Sequence, residues 1–208
     1  MKKYSYIGIA FIILIFGIYA IPKIVSNFKT PKLVTIAKVP SFEFTNQDGE
    51  LITNSFYDGK VYLVEFFFTT CPTICPKMNE NMVKIQNEFY GNLDFGIASF
   101  SINPSFDSPE ILKAYAKEHG ATLKTWNFLT GEKEKIYELA NTGFTLFAGE
   151  NSDAEGGFEH SGMFALIDKK GNIRSRLDEY GNPIAFYEGI DPKGVQMIKE
   201  DIKILLKE

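Results

Sequence analysis

The chain has 208 residues, 45% of them apolar and 23% charged, with a formal net charge of −4. That composition suits one packed domain with an appendage, and it argues against disorder of the whole and against a dedicated nucleic-acid binder. Two cysteines and two histidines exclude a zinc ribbon, a four-cysteine iron–sulfur cluster and a disulfide-stapled scaffold, and leave a single two-cysteine site.

Tyr4 to Ile21 runs for eighteen residues without a charge, between Lys2-Lys3 and Pro22-Lys23. The length is near the lower limit for a helix crossing a membrane. A buried core helix lacks a reason for such flanks. A cleaved signal peptide would want a small residue where Ile18 stands, so an uncleaved anchor is the preferred reading. No cysteine follows the run, so there is no lipid attachment point. The flanking positive charges tie, and the short tail is expected to stay cytoplasmic while the rest is exported. Residues 1–22 are thus read as tail and transmembrane anchor, 23–39 as a Pro- and Lys-punctuated tether, and 40–208 as one domain.

Within that domain, Phe42–Thr45 and Leu51–Thr53 flank a Gly49-containing turn and predict a hairpin. Val61–Phe68 is nearly continuously apolar, as a strand buried on both faces requires. Met78, Met82, Ile85 and Phe89 mark one face of a helix. Leu93–Ile102 is a second core strand, and Ser108-Pro109 opens a helix running to about Glu118. Trp126–Leu129 is a short strand and Glu132–Asn141 a helix. Met163–Asp168 and Ile173–Leu177 flank a Lys-Lys-Gly-Asn turn, and Asp191-Pro192 is expected to cap a last helix. Strands alternating with helices and ending in a hairpin predict an α/β domain with a mixed sheet, for which the thioredoxin-like arrangement is the common small solution.

Cys71 and Cys75 follow the Val61–Phe68 strand in T-T-C-P-T-I-C-P. Both are expected at the start of the next helix, where its positive end favours thiolates. Their i, i+4 spacing suits two sulfurs on one soft cation better than a disulfide. Three intervening residues also separate the pair from the Cys-x-x-Cys of thioredoxin-type catalysts. His119 closes a helix before Gly120, which needs no further reason. His160 stands in G-G-F-E-H-S-G, in a loop before the Met163 strand that such a fold brings toward the cysteines. Two thiolates and an imidazole select Cu(I) among common ions, whereas a structural zinc would want a fourth protein ligand. Met78 and Met82 fall on the Ile85–Phe89 stripe and read as core rather than thioether ligands.

The stretches F-T-N-Q-D-G-E, T-T-C-P-T-I-C-P, S-I-N-P-S-F-D-S-P-E and E-H-S-G-M-F-A-L-I-D-K-K-G resemble the Sco/SenC family of membrane-anchored copper proteins, from about Val39 to the C-terminus. The resemblance implies a thioredoxin-like fold, a copper site made of Cys71, Cys75 and His160, and delivery of Cu(I) or Cu(II) to the copper-bearing subunit of cytochrome c oxidase, or upkeep of its thiols. It implies an outer-face location and dealings with other copper chaperones or thiol reductants. Asp107 matches a family aspartate, although a turn or capping role before the Ser108 helix also accounts for it. Asn103 and Glu159 depart from the aspartates the family often has there. The alternative function is a thiol–disulfide oxidoreductase using Cys71 and Cys75. A peroxidase ranks last, because Phe68 and Pro72 occupy the places where its threonine would stand.

Overall fold

The computed structural model describes residues 5–28, 31–153 and 156–208. Ser5–Phe28 forms helix α1, and the rest of the described chain, from Leu33 to Glu208, is a separate unit. The described side chains of α1, Tyr6 to Ile21, are almost all apolar and exposed. Among the described residues no helix is long and apolar enough to cross a membrane, so the expected transmembrane span is not established at this level.

The second unit is built on one mixed sheet. Its strands in chain order are β1 (Leu33–Lys38), β2 (Glu43–Asn46), β3 (Leu51–Thr53), β4 (Val61–Phe67), β5 (Phe95–Ser101) and β6 (Trp126–Thr130), followed by β7 (Ala148–Glu150), β8 (Phe158–His160), β9 (Met163–Ile167), β10 (Asn172–Arg176) and β11 (Tyr187–Glu188). The spatial order is β1-β10-β9-β4-β5-β6-β2-β3, with β11 also on β9, while β7 and β8 form a two-stranded sheet of their own. β4, β5 and β6 run parallel, and the neighbours on either side are antiparallel. Four helices follow the same chain order: α2 (Cys75–Glu88), α3 (Pro109–Glu118), α4 (Lys133–Glu138) and α5 (Pro192–Lys207). α2 and α5 are joined by ion pairs from Lys199 and Lys203 to Glu88, and α3 packs on β6 and β2.

The core follows from the strand composition. All seven residues of β4 and all seven of β5 are buried, as expected of central strands covered on both faces. Met78, Met82 and Ile85 are fully buried on α2, so the two methionines are core. Phe66 stacks on Phe100, which meets the edges of Phe42 and Phe44. Burying each such ring contributes about 1.5–3 kcal/mol.

Three elements differ from the sequence reading. Leu33–Lys38, read as part of the tether, is edge strand β1 paired with β10. Its burial is shallow, so its sequence shows no period, and its hydrogen bonds come from a segment some 140 positions away. The helix expected over Glu132–Asn141 is split: α4 ends at Glu138 and a π-helical turn spans Leu139–Gly143. Asp191 precedes α5 in extended backbone but makes no side-chain cap.

Glu65 is the anomaly of β4. Ser99 donates to its Oε1 at 2.6 Å, and Trp126 Nε1 donates to Ser99 at 2.9 Å. Its Oε2 is buried without a partner. Burial, against the Ser99 bond and the nearby His160 ring, pushes its carboxyl up to about 7. A folded value above the unfolded one means that the neutral form stabilises the fold fully below about 4.5, and that this stability is lost as pH rises through about 7. Unfolding free energy is therefore predicted to fall between pH 5 and pH 8 by up to about 3 kcal/mol. Glu65→Gln should flatten that dependence in denaturant titrations, and an unchanged pH profile in the variant would contradict the assignment.

Candidate metal centre

β4 delivers the chain to the Thr69-Thr70 turn, where Cys71 N–H donates to Phe68 O at 3.2 Å. The helix then starts at Cys75, not at Cys71 as the i, i+4 reading had it. Pro76 is the cause. It has no N–H to give the carbonyl four residues back, and its ring would clash with that carbonyl at Pro72. Cys71 therefore sits in a turn, and the two sulfurs meet through loop geometry instead of along a helix face.

Asp107 anchors this turn and does not cap the helix after it. It is fully buried. It accepts from Thr69 N–H at 3.1 Å, from the Thr69 hydroxyl, and from Ser101 Oγ at 2.5 Å. The α3 cap is Ser108, whose Oγ accepts from Ile111 N–H. Asn103 shapes the same loop through its backbone, its carbonyl accepting from Phe106 and Asp107 N–H.

His160 does not lie in a loop, as its small neighbours suggested, but ends strand β8, opposite Ala148 of β7. Its ring lies edge-on to Phe68 at 5.8 Å, and Phe68 also meets Phe158. His160 Nδ1 is 3.1 Å from Ser161 O. A carbonyl only accepts, so Nδ1 donates to it, which leaves Nε2 turned to the sulfurs. Nε2 lies 3.0 Å from Cys75 Sγ. The ligand atoms of Cys71, Cys75 and His160 all lie within 4.8 Å of one another, and all three residues are buried.

The electrostatics make the sulfurs unequal. A hydrogen bond from Cys75 holds the Cys71 thiol far below its ordinary value; burial acts against this, and His160 and Thr73 add to it. Cys75 is pushed up, first by giving its hydrogen to Cys71 and then by its own burial. The two thiols are thus shifted in opposite directions, Cys71 down and Cys75 up. A cavity of about 210 Å³, lined by Phe68, Cys71, Thr73, Phe158, Glu159 and His160, opens onto Cys71. The larger cavity of the domain, about 1050 Å³ beside Phe42 and Leu139, contains neither cysteine nor histidine and is remote in chemistry from this site.

His119 is the C-terminal residue after α3 and packs on the Tyr115 ring at 4.2 Å; it is not part of the Cys71, Cys75 and His160 group. Glu159 lies exposed at the rim, accepting from Asn151. Sequence reasoning passed over Glu65 and Ser161. A charge inside an otherwise apolar strand was a visible signal for the first; the second acts through its carbonyl, which no side-chain pattern reveals.

Residues 32–192 match the SCO1/SenC family. The chain belongs to that family. A SCO1 protein homolog of Bacillus subtilis is 31% identical over 168 residues, covering 80% of this chain and 81% of its own. The crystal structure of a SCO1/SenC family lipoprotein from Bacillus anthracis superposes with a TM-score of 0.72 at 32% identity, over 84% of this chain and 97% of that one. BsSco, a Sco-family cytochrome c oxidase assembly protein with a disulfide switch, gives 0.69 at 29% identity, over 87% and 98%. Yeast Sco1 with copper bound shares the fold at a TM-score of 0.61 and 22% identity, over 81% and 90%. The mixed sheet with flanking helices is thus the thioredoxin-like fold of SCO1/SenC proteins.

In this SCO1/SenC chain Cys71, whose thiol is lowered, lines the cavity, and Cys75, whose thiol is raised, does not. Iodoacetamide applied to reduced protein at pH 6 is predicted to label Cys71 well ahead of Cys75 in peptide mass maps. Equal labelling, or Cys75 first, would overturn this inequality of the sulfurs.

Proposed function

We propose that this chain is a copper-handling assembly protein in which Cys71, Cys75 and His160 hold the ion and pass it to the copper-bearing subunit of cytochrome c oxidase. The observation that carries the reading is the buried three-donor set within 4.8 Å. Two sulfurs and one imidazole suit a soft ion, and the Ser161 carbonyl on Nδ1 orients the ring with Nε2 toward the sulfurs. Copper would supply a charge that replaces a thiol proton, so uptake releases a proton and is favoured by rising pH. The copper bound by yeast Sco1 and the oxidase assembly role of BsSco support the same assignment.

In this reading the uncharged run Tyr4 to Ile21 serves as an uncleaved membrane anchor, with the domain on the outer face. Thiol–disulfide exchange is the second reading, favoured by a lowered Cys71 thiol beside a raised partner.

Titration of reduced full-length protein with Cu(I) against a competing chelator separates the two. Copper handling predicts one tightly held ion, weakened at least about tenfold by His160→Ala and abolished by Cys71→Ser or Cys75→Ser. Affinity unchanged by His160→Ala, with disulfide exchange intact in that variant and lost in Cys71→Ser, would favour the oxidoreductase.

A further inference from the structure

His160 is carried by an element that has little support of its own. β7 and β8 are three residues each and lie outside the main sheet, and an isolated two-stranded hairpin is marginal in water. Something else must therefore fix the imidazole within reach of the sulfurs.

The hairpin register identifies it. Ser161 N–H donates to Phe147 O at 3.0 Å, and Asn151 N–H donates to Gly157 O at 3.0 Å. Between antiparallel strands hydrogen-bonded and non-hydrogen-bonded pairs alternate. Ala148 and His160 are therefore a non-hydrogen-bonded pair, with side chains close together on one face and the Ala148 backbone groups directed outward. Both of those groups are taken by one side chain. Ala148 N–H donates to Asn141 Oδ1 at 3.0 Å, and Asn141 Nδ2 donates to Ala148 O at 2.8 Å. The Asn141 amide thus plays the part of a third strand, one residue long, directly behind the residue that faces His160.

Asn141 is presented by the π-helical turn Leu139–Gly143, closed by Phe144 N–H to Leu139 O at 2.9 Å. Such wide turns recur where a side chain must be placed for function. The connection onward to β7 passes through Thr145 at φ +52°, a left-handed conformation that a β-branched residue adopts only when its surroundings impose it. The bracket at Ala148 closes this loop.

We infer that Asn141 is a positioning residue that holds His160 against Cys71 and Cys75 by bracketing the backbone of Ala148. The inference rests on the proposed ligand role of His160 for its effect on metal, but not for its effect on the hairpin, and the test keeps the two apart. In reduced, metal-free, full-length protein, Asn141→Ala is predicted to lower amide-exchange protection at Ala148 and Ser161 about tenfold or more, while amides of β5 are unchanged. Asn141→Asp, which keeps an acceptor but loses the donor, should show the same loss in smaller measure. In Cu(I) competition, Asn141→Ala should weaken binding about tenfold in the native background and have no effect in the His160→Ala background.

Unchanged hairpin protection would overturn the inference, as would a loss of protection spread across β5, which marks a general packing role. Equal weakening of copper binding with and without His160 would overturn it too. If His160→Ala leaves copper affinity untouched, the ligand role fails on its own, and the exchange data still decide whether Asn141 places the hairpin.

Discussion

The 3.0 Å approach of the Cys75 sulfur to His160 Nε2 joins two parts of the molecule that the main sheet does not connect. One is the turn and helix that follow the central strand β4. The other is a small hairpin outside the sheet. Each is held by polar groups. Asp107 pins the turn from across the sequence through Thr69 and from nearby through Ser101, and the adjacent Ser161 carbonyl orients the imidazole. The chemistry of the pocket depends on both parts arriving together, because a thiolate pair alone is a redox centre and an imidazole alone is a core residue.

The proton balance follows from the same contact. Two sulfurs in a buried site cannot both be ionised cheaply, and the opposite shifts of Cys71 and Cys75 favour charge on the sulfur that faces the cavity. Glu65 carries an unpaired oxygen in the core, and burial raises its carboxyl, which limits the negative charge that gathers near the sulfurs.

How much of this could be read from the residues depended on the range of the interactions. The buried strands β4 and β5, the α2 stripe of Met78, Met82, Ile85 and Phe89, and the Ser108 cap were legible because each is decided by neighbours in sequence. Strand β1 was not, since an edge strand with exposed side chains carries no burial period. The start of α2 at Cys75 was decipherable in principle from Pro76, but the i, i+4 spacing of the cysteines pointed the other way. Asp107 looked like a turn residue because its partners, Thr69 and Ser101, belong to other elements. The nearness of His160 to the cysteines came from the fold expected for the order of strands and helices, and then from the family resemblance, not from any local pattern; the two three-residue strands that deliver it are too short to announce themselves.

The most direct test of three-fold convergence is X-ray absorption on the reduced full-length protein loaded with one equivalent of Cu(I). The account predicts two sulfur scatterers and one imidazole nitrogen, with the nitrogen lost in His160→Ala. A spectrum showing sulfur alone, and the same in the native protein and the variant, would contradict it.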